Sequence, residues 1–373
     1  MAGTTTSRAL RSPATSGVRL ALPSDDVGLR QLLRRSAIPG AVRVAFTREP
    51  AYDAGAGVAG ADDVTVLHEH DGHIDAMGRC SIRDLHRNGI VRRIGYLAEL
   101  RAAAAEPLPG TALREGYARL ADWSIRRGAE GFFTSIADDN VRARRVLERG
   151  GRLGLPAYRP LGALVTFLAP VLSGAGGREA GGAPVSPEEL GGFLRRHACR
   201  AQLTLPWTDR CWRALAVHGV TSRDFAVVQR DGRIVAAAGV WDQRPFRQTV
   251  IDSVSGPLRL LRPAVNVARR LRGRPPLPGP GEVLAQGALL AVSVDEARDW
   301  LVLWPALQAL AATRGLSWLS LALDRRDPWC GILQTLTRPR EYCTTLYEVR
   351  WQNQPAWSEP WDSRLLRPEV GLL

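Results

Sequence analysis

The sequence predicts an α/β protein made of two tandem copies of one fold, each a mixed twisted sheet flanked by helices. Strand-like and helix-like segments alternate through both halves of the 373 residues, as hydrophobic periodicity identifies them. A Gly- and Ala-rich stretch at 171–186 separates the halves and has the composition of a linker. A chain of this length exceeds what one ordinary core organises, and its 45% of hydrophobic residues can fill two cores.

The expected organisation has five parts. Residues 1–17 form a polar, disordered tail, 18–170 the first domain, 171–186 the linker, 187–352 the second domain and 353–373 a C-terminal tail. The first of these parts has no apolar core of the kind that a secretory signal contains. We therefore expect a cytoplasmic protein.

Two predicted hairpins support an internal duplication. The segments VTVLHEHDGHIDAMG and FAVVQRDGRIVAAAG share a strand, an Asp-Gly turn, and Ile and Ala two residues apart. Asp-Gly is typical of two-residue hairpin turns. The later blocks RRGAEGFFTSIADDN and TRGLSWLSLALDRRD then repeat the order of helix end, buried strand and Asp-rich helix start. An ordered series of such matches indicates a repeated unit.

The formal net charge of +13 raises nucleic acid as a partner. All fifty basic residues are Arg, however, and Ala, Gly and Pro are abundant, a joint bias that is typical of a GC-rich bacterial genome. Many of these Arg alternate with Asp and Glu, as on solvated helix faces. We therefore do not expect the protein to bind nucleic acid.

The sequence also argues against a metal site and a transmembrane segment. Its most apolar stretch, 283–312, is interrupted by four charged residues. The cluster of His68, His70, Asp71 and His73 surrounds a hairpin tip, which is a surface arrangement rather than a zinc site. The cysteines are odd in number and lack CxxC spacing, which argues against disulfides and zinc: Cys80, Cys199, Cys211, Cys330 and Cys343.

Four segments of the first half, taken in order, resemble the GNAT family (Gcn5-related N-acetyltransferases). They are GYLAELR at Gly95–Arg101, Gly110 at a helix start, the strand FFTSIA, and DDNVRARRVLERGG from Asp138. The resemblance implies two tandem acyl-CoA N-acyltransferase folds and acetyl-CoA as co-substrate. It also implies a bulged strand that binds the pantetheine arm, and a helix N-terminus that binds the pyrophosphate because its first amides lack internal partners.

By position, the resemblance assigns the coenzyme contacts to seven residues: Leu100, Arg101, Gly110, Thr111, Ala112, Arg114 and Asn140. Two positions depart from the family's pattern. Pro109 stands where a basic residue precedes the glycine, and Leu147 stands where a tyrosine protonates the leaving thiolate. We assign that second role to Tyr158, on the following strand.

Acetyl transfer also needs a group that takes the proton of the amine. Glu99 lies in the bulged strand and is assigned this role; the alternative is an ion pair with Arg101 or Arg93 on a strand surface. Asp84 and His86 follow the third strand of the domain, and we expect them to bind the acceptor substrate. The alternative for these two residues is that they cap a loop.

The second half lacks the cofactor loop. After its long strand the chain reads SVDEARDW, in which acidic residues stabilise a helix start but repel a pyrophosphate. We therefore expect a degenerate copy. The insertion Pro257–Pro280 combines Arg with Leu and Val, and such a basic amphipathic segment fits an acidic partner, an anionic lipid surface, the phosphates of CoA, or a helix docked on the domain.

The predicted function is N-acyl transfer, in which an acetyl or other small acyl group moves from CoA to a primary amine of a small-molecule or peptide acceptor. One alternative keeps the fold without catalysis, as a CoA-binding or scaffold protein. The other alternative is an aminoacyl-tRNA-dependent transferase, which the basic composition favours and Gly110 and Asn140 do not. The sequence gives no indication of the oligomeric state.

Overall fold

A computed structural model describes residues 16–38, 40, 42–103, 108–172, 174, 185–352, 354, 357 and 359–373. The first half contains β1 (Ser16–Leu20), α1 (Asp26–Arg35), β2 (Val42–Thr47), β3 (Asp62–His70), β4 (His73–Arg87), β5 (Ile90–Ala102), α2 (Gly110–Arg126), β6 (Gly131–Ala137), α3 (Val141–Glu148) and β7 (Ala157–Pro170). The second half contains α4 (Pro187–Ala198), α5 (Asp209–Val217), β8 (Phe225–Arg230), β9 (Arg233–Asp242), β10 (Gln248–Val254), α6 (Gly256–Leu271), β11 (Gln286–Val294), α7 (Trp300–Thr313), β12 (Trp318–Asp324), α8 (Trp329–Thr337) and β13 (Arg340–Arg350).

Local sequence explains most of these elements. Helix α1 buries Leu29, Leu32 and Leu33 on one face, the spacing of an amphipathic helix. The turn between β3 and β4 uses Asp71 and Gly72, both with positive φ, as a two-residue hairpin turn requires. Among the described residues, no helix combines the length and apolarity that crossing a membrane needs.

One continuous sheet joins the two halves. Within the described residues its eleven strands lie in the order β1-β3-β4-β5-β6-β13-β7-β12-β11-β9-β8. Strand β13 of the second half lies between β6 and β7, and β7 of the first half pairs with β12. The last strand of each half therefore completes the sheet of the other half. A separate ribbon of β2 and β10 also joins the halves.

The two halves carry the same irregularities at matching positions. Strand β5 runs parallel to β6 with Gly95 opposite Phe132, and β11 runs parallel to β12 with Gly287 opposite Leu319. Four residues after each of these glycines the strand bulges at a residue with positive φ: 54° at Glu99 and 53° at Ala291. The predicted fold class and repeated unit agree with this geometry. The division into domains 18–170 and 187–352 stays a prediction, and most of the linker 171–186 lies outside the described residues.

The two predicted tails differ from each other in the structure. Strand β1 begins at Ser16, inside the predicted tail 1–17, and residues 1–15 lie outside the described residues. The stretch 359–373 was expected to be a tail but packs on the protein, with Leu366 and Leu372 buried. Its backbone supplies a donor to a buried carboxylate, since the Leu366 N–H lies 3.0 Å from Asp324 Oδ2. Buried charges need such partners, and the hydropathy of the segment did not reveal them.

Candidate active site

A cleft with a cavity volume of about 960 Å³ opens where β5 and β6 separate, and residues of both halves line it. The two strands pair only from Ile94 to Tyr96 with Gly131 to Phe133. Beyond this point the Thr134 hydroxyl donates to the Leu97 carbonyl at 2.7 Å, and the strands then diverge. The cleft is therefore a direct result of the sheet geometry.

The bulge in β5 causes this divergence. Met77 on β4 lies opposite Arg101 and Arg79 lies opposite Ala98, so the two residues Glu99 and Leu100 face the single residue Gly78 and β5 has one extra residue in the ladder. A bulge of this kind bends the strand and leaves a backbone group without its ladder partner. Leu100 and Arg101 both line the cleft, as the sequence predicts for residues that contact the coenzyme.

The start of α2 forms one end of the cleft. No side chain caps this helix at Pro109, and its first turn contains no acidic residue. Pro109 and Gly110 are exposed, and a Cβ atom added to Gly110 would meet no other atom within 4 Å. Ala112 lines the cleft, with Thr111 exposed beside it. The helix N-terminus is thus open on the side where the sequence predicts a phosphate site.

Two more of the predicted coenzyme residues lie near this end. Asn140 lines the cleft and also caps α3, because its Oδ1 accepts from the Ala143 N–H at 3.1 Å. Arg114 lies beside Gly154, whose Cβ position would be 3.1 Å from Arg114 Cδ, and it does not belong to the cleft lining. The structure therefore brings together Leu100, Arg101, Ala112 and Asn140, with Gly110 and Thr111 at the edge.

Glu99 has partners that the sequence reasoning missed. Its carboxylate accepts from Arg48 Nε at 2.8 Å, Arg48 Nη2 at 2.6 Å and the Tyr52 hydroxyl at 2.9 Å, rather than from Arg101 or Arg93. Burial alone would raise the pKa of Glu99, but Arg48, Arg79 and Arg247 lower it to about 2. A carboxylate with such a pKa is poorly matched to accept a proton near neutral pH. The assignment of Glu99 as general base therefore does not fit its surroundings.

Further guanidinium groups surround Glu99. The buried Arg79 lies 3.0 Å from Asp63, and Arg247 of the second half donates to the Gly371 carbonyl at 3.2 Å and to the Leu373 backbone oxygen. Burial and the neighbouring Arg48 lower the pKa of Arg247 to about 10. In this part of the cleft cations outnumber side-chain carboxylates: Arg48, Arg79, Arg83 and Arg247 against Glu99 and Asp63.

Tyr158 lies deep in the core of the first half. Its hydroxyl is 2.6 Å from that of Tyr117, and burial together with Tyr117 holds its pKa well above the ordinary value. Tyr158 on β7 lies opposite Val349 on β13, and Val349 lies opposite Phe132 on β6, which pairs with Gly95 on β5. The bulge lies three or four residues after Gly95 along β5. At about 3.3 Å per residue the separation is roughly 10 to 13 Å. Tyr158 does belong to the cleft lining, but this register does not favour it as proton donor at the bulge.

A second tyrosine reaches the cleft from the other half. Tyr342 lies two residues before Thr344, where β13 begins to pair with the end of β6, and it lines the cleft. Burial, followed by Asp139 and Asp138, raises the pKa of Tyr342 to about 12. No signal in the sequence places this residue beside the first half, because only the strand exchange brings it there.

Asp84 and His86 are not among the residues that line the cleft, and their role in acceptor binding stays a prediction. They pair with Arg93 and Val91 on β5, at the opposite end of β4 from the bulge. Asp84 lies 3.6 Å from Arg93, and the His86 N–H donates to the Thr204 carbonyl at 2.9 Å. Strand β4 is longer than predicted and carries both residues away from the cleft. Their contacts serve the junction with the second half.

The equivalent notch in the second half is filled. The N–H of the bulge residue Ala291 donates to the Glu369 carboxylate at 2.9 Å, and the remaining cavity is about 40 Å³. Burial raises the pKa of Glu369 to about 7. Where the first half has an open helix start, the second half has Asp299, a buried carboxylate that pairs with Arg230. The side chains of the C-terminal segment therefore occupy the place that stays open in the first half.

Groups of three or more His, Cys, Asp or Glu side chains that could hold a metal ion do not occur in the part of the chain that the structure describes. His68, at the hairpin that the sequence singled out, already uses both ring nitrogens. Its Nδ1 lies 2.6 Å from Asp75 and its Nε2 lies 3.1 Å from the Ser16 hydroxyl.

Replacing Glu99 by Gln tests the buried ion pair. Glu99 has a folded pKa of about 2 against an ordinary 4.5, so its contribution to stability is complete above pH 4.5 and is lost as the pH falls through 2. At pH 7 we expect Glu99→Gln to lower the free energy of unfolding by about 3 kcal/mol, because Arg48 stays buried without its partner. Urea titrations at pH 7 and pH 3 measure the difference, which should shrink at the lower pH.

The exposed Glu115→Gln is the matched control, since its ion pair with Arg119 lies at the surface and is worth less than about 1 kcal/mol. An equal loss of stability for Glu99→Gln at both pH values would contradict the ion-pair interpretation.

Glu369→Gln should have the opposite pH dependence. The folded pKa of about 7 lies above the ordinary 4.5, so the folded state holds a proton that the unfolded state has released. Stability of the unaltered protein therefore falls as the pH rises from 4.5 to 7, by about 3 kcal/mol at most. The neutral Gln variant lacks this decline and should be the more stable protein at pH 8. Urea titrations across this range check it, and parallel curves for both proteins would refute it.

Comparison with known proteins supports the fold. Neither a protein-family model nor a curated protein sequence matches the chain. A GCN5-related N-acetyltransferase from Sphaerobacter thermophilus matches with a TM-score of 0.52 at 13% identity, over 92% of this chain and 98% of that one. A structure of Saccharomyces cerevisiae N-myristoyltransferase with bound myristoyl-CoA matches with a TM-score of 0.57 at 11% identity, over 98% of this chain and 86% of that one. A second structure of the same enzyme with bound myristoyl-CoA matches with a TM-score of 0.58 at 9% identity, over 96% of this chain and 89% of that one. The likeness is one of fold: the chain has the mixed α/β fold of the GNAT-type and N-myristoyltransferase-type acyltransferases.

Proposed function

We propose that the protein is an N-acyltransferase that moves an acetyl group, or another acyl group, from a CoA thioester to a primary amine of a small molecule or peptide. The observation that carries the proposal is the asymmetry of the two bulges. The bulge at Glu99 opens onto the cleft and the uncapped start of α2, whereas the bulge at Ala291 is closed by Glu369. We further propose that the reaction takes place in the cytoplasm.

The start of α2 suits the diphosphate of the coenzyme. The first backbone amides of a helix have no internal partners, and the helix dipole adds positive potential there. Gly110 leaves room for a phosphate to approach the backbone, and no acidic side chain of the first turn opposes it. Asn140 also lines the cleft, and we assign its side chain a contact with the pantetheine arm.

The bulge suits the thioester carbonyl. In the second half the N–H of the bulge residue Ala291 points out of the ladder and binds a carboxylate oxygen. Glu99 has the same backbone conformation at the matching position. Its N–H would stabilise the negative charge that develops on the carbonyl oxygen when the amine attacks. The amine nitrogen then bonds to the carbonyl carbon and releases one proton to solvent in the open cleft, the carbon–sulfur bond breaks with its electron pair on sulfur, and CoA leaves as a thiolate.

The excess of guanidinium groups suits the amine. An amine attacks only in its neutral form, and nearby positive charges lower the pKa of an ammonium group. The Arg residues around Glu99 therefore favour the reactive form before any side chain takes a proton. In this scheme Glu99 stays ionised and positions Arg48 and Tyr52 rather than accepting the proton of the amine.

The thiolate needs a proton, and we assign its donor to Tyr342. A phenol is protonated at neutral pH at its ordinary pKa, and the pKa of about 12 makes Tyr342 a weaker acid, so a proton that it gives to the thiolate is soon replaced from solvent. Tyr158 has the same protonation state, but it lies level with the part of β6 that is still paired with β5, whereas Tyr342 lies on the side where these two strands have diverged. Because Tyr342 belongs to β13, the reaction in the first half would depend on a strand of the second half, which lies between β6 and β7.

The apolar residues that line the cleft suit an acyl group longer than acetyl. Below the bulge the cleft continues between α2 and the sheet, where Val66, Ala76 and Leu120 line it. A chain longer than acetyl would remove this apolar surface from water. Acyl-CoA compounds of increasing length therefore belong in the assay beside acetyl-CoA.

Calorimetric titration with acetyl-CoA tests the coenzyme site. Gly110→Glu places a carboxylate at the proposed phosphate position without disturbing any neighbour, and we expect at least a tenfold loss of affinity because like charges repel. Gly331→Glu is the matched control, since it adds the same charge in open space on α8. If the unaltered protein binds no CoA compound, or if both variants bind equally well, the proposed site is wrong.

Release of free thiol with a panel of primary amines then separates catalysis from binding. Tyr342→Phe should lower kcat by about a hundredfold or more, the usual contribution of a proton donor, while the affinity for acetyl-CoA stays unchanged. Tyr158→Phe should mainly reduce stability, because it loses the hydrogen bond with Tyr117. Tight CoA binding without thiol release for any amine would favour the non-catalytic CoA-binding alternative.

A further inference from the structure

Helix α6, which is inserted between β10 and β11, has no buried residue although it is rich in large apolar side chains. Leu260 is 83% exposed, Leu271 84%, Leu261 60% and Val267 56%. Single exposed apolar residues are ordinary, but a continuous apolar patch marks a surface that contacts something else. The sequence also allowed a helix docked on the domain, but in the structure these four apolar side chains are left exposed to solvent.

The exposed apolar residues form one stripe along α6. Leu260, Ala264, Val267 and Leu271 follow the spacing i, i+4, i+7 and i+11, which places them on a single helix face. The helix is 16 residues long, so at about 1.5 Å per residue the stripe extends over most of roughly 24 Å.

Polar contacts fix the orientation of the helix. The Asn266 side chain accepts from the Leu277 N–H at 2.7 Å and donates to the Leu277 carbonyl at 3.2 Å. Arg269 Nε donates to the Pro275 carbonyl at 2.7 Å, and its guanidinium lies over the Trp318 ring. The polar face of α6 thus contacts its own protein, and the apolar stripe faces outward. This is the reverse of the arrangement in a surface helix that contributes to a core.

The charge around the stripe is of one sign. The segment 256–274 contains no Asp or Glu. Its basic residues are Arg259, Arg262, Arg269, Arg270, Arg272 and Arg274, of which Arg259, Arg270 and Arg272 are exposed. On a helical projection Arg259 and Arg270 lie next to the apolar stripe. Guanidinium groups bind phosphate oxygens in a fork geometry.

We propose that α6 lies in the surface of an anionic lipid bilayer, with Leu260, Ala264, Val267 and Leu271 inserted among the lipids and the flanking Arg residues on the lipid phosphates. An interfacial helix combines an apolar stripe with a basic border in this way. A protein partner would need a matching apolar groove with an acidic rim, whereas a bilayer supplies apolar chains and phosphates to any outward-facing helix. The inference does not depend on the proposed acyl transfer.

The position of α6 adds a consequence for the cleft. Arg269 lies close enough to Arg340 for the two charges to interact, and Arg340 lines the cleft. A bilayer at α6 would therefore lie near the end of the cleft that Thr249, Leu284 and Gln286 also line. An acceptor with a lipid part would reach the cleft from this side.

Cosedimentation of the full chain with lipid vesicles tests the inference. We expect binding to vesicles of phosphatidylglycerol and phosphatidylcholine, at least tenfold weaker binding to phosphatidylcholine alone, and weaker binding at high salt. Leu260→Ser/Leu271→Ser should reduce binding to the mixed vesicles by at least about tenfold, because it removes two apolar side chains from the stripe. Arg259→Gln/Arg270→Gln should reduce it by about 25-fold, at about fivefold per charge.

The matched controls are exposed residues elsewhere on the molecule. Val217→Ser removes an apolar side chain that is 81% exposed on α5, and Arg126→Gln/Arg200→Gln removes two exposed charges. Both should bind the mixed vesicles within twofold of the unaltered protein. All substituted side chains are exposed, so circular dichroism and thermal unfolding should be unchanged, which keeps a loss of binding distinct from a loss of folding.

Three outcomes would overturn the inference: no binding to the mixed vesicles at low salt, equal binding to both kinds of vesicle, or unchanged binding of Leu260→Ser/Leu271→Ser. Sedimentation velocity without vesicles provides a fourth outcome. A dimer that this variant converts to a monomer would assign the stripe to a second copy of the chain instead of a bilayer.

Discussion

The parting of β5 from β6 is the constraint on which the rest of the candidate site depends. The strands pair at Ile94–Tyr96, and the bulge at Glu99 then prevents the ladder from continuing. Unpaired backbone groups in the interior are costly, so a gap of this kind persists only if the surrounding structure holds it open. The polar layer that contains Glu99, Arg48 and Tyr52 lies at the gap and supplies that support.

The exchange of the last strands makes the two halves one unit. Strand β13 forms a wall of the first half, and the segment that follows it returns to fill the notch of the second half. The part of the chain from β13 onward thus forms a wall of the open cleft in the first half and fills the equivalent notch in the second half. The same repeated fold can therefore carry a ligand-sized cavity in one copy and a packed carboxylate in the other.

Charge is distributed differently in the cleft and on α6. Around Glu99 the guanidinium groups are buried and partly paired, so they act on the pKa of groups inside the cleft. On α6 the side chains of Arg259 and Arg270 are exposed and the helix contains no acidic residue, so they act on what approaches from outside. The net charge of +13 thus need not indicate a nucleic-acid surface, because both groups of Arg have a more local explanation.

Features encoded within a short stretch could be predicted from the sequence. The Asp-Gly turns, the start of α2 at Gly110 and the capping role of Asn140 follow from the conformational preferences of nearby residues. The bulged strand and the fold class were inferred through the resemblance to a family, which encodes the same local pattern at Gly95–Arg101.

By itself, then, the sequence determined the order of the elements in the repeated unit, the repeat itself and the helix start at Gly110, but not β2, β10 or α4. The predicted features each depend on neighbours along the chain. Only the tertiary structure decided that Arg48 neutralises Glu99 across 51 residues, that Asp84 lies at the opposite end of its strand from the bulge, and that Tyr342 belongs to the other half. The physical reason is that strand pairing and ion pairing between distant segments are selected by the total free energy of the folded chain, which leaves no local pattern in the residues concerned.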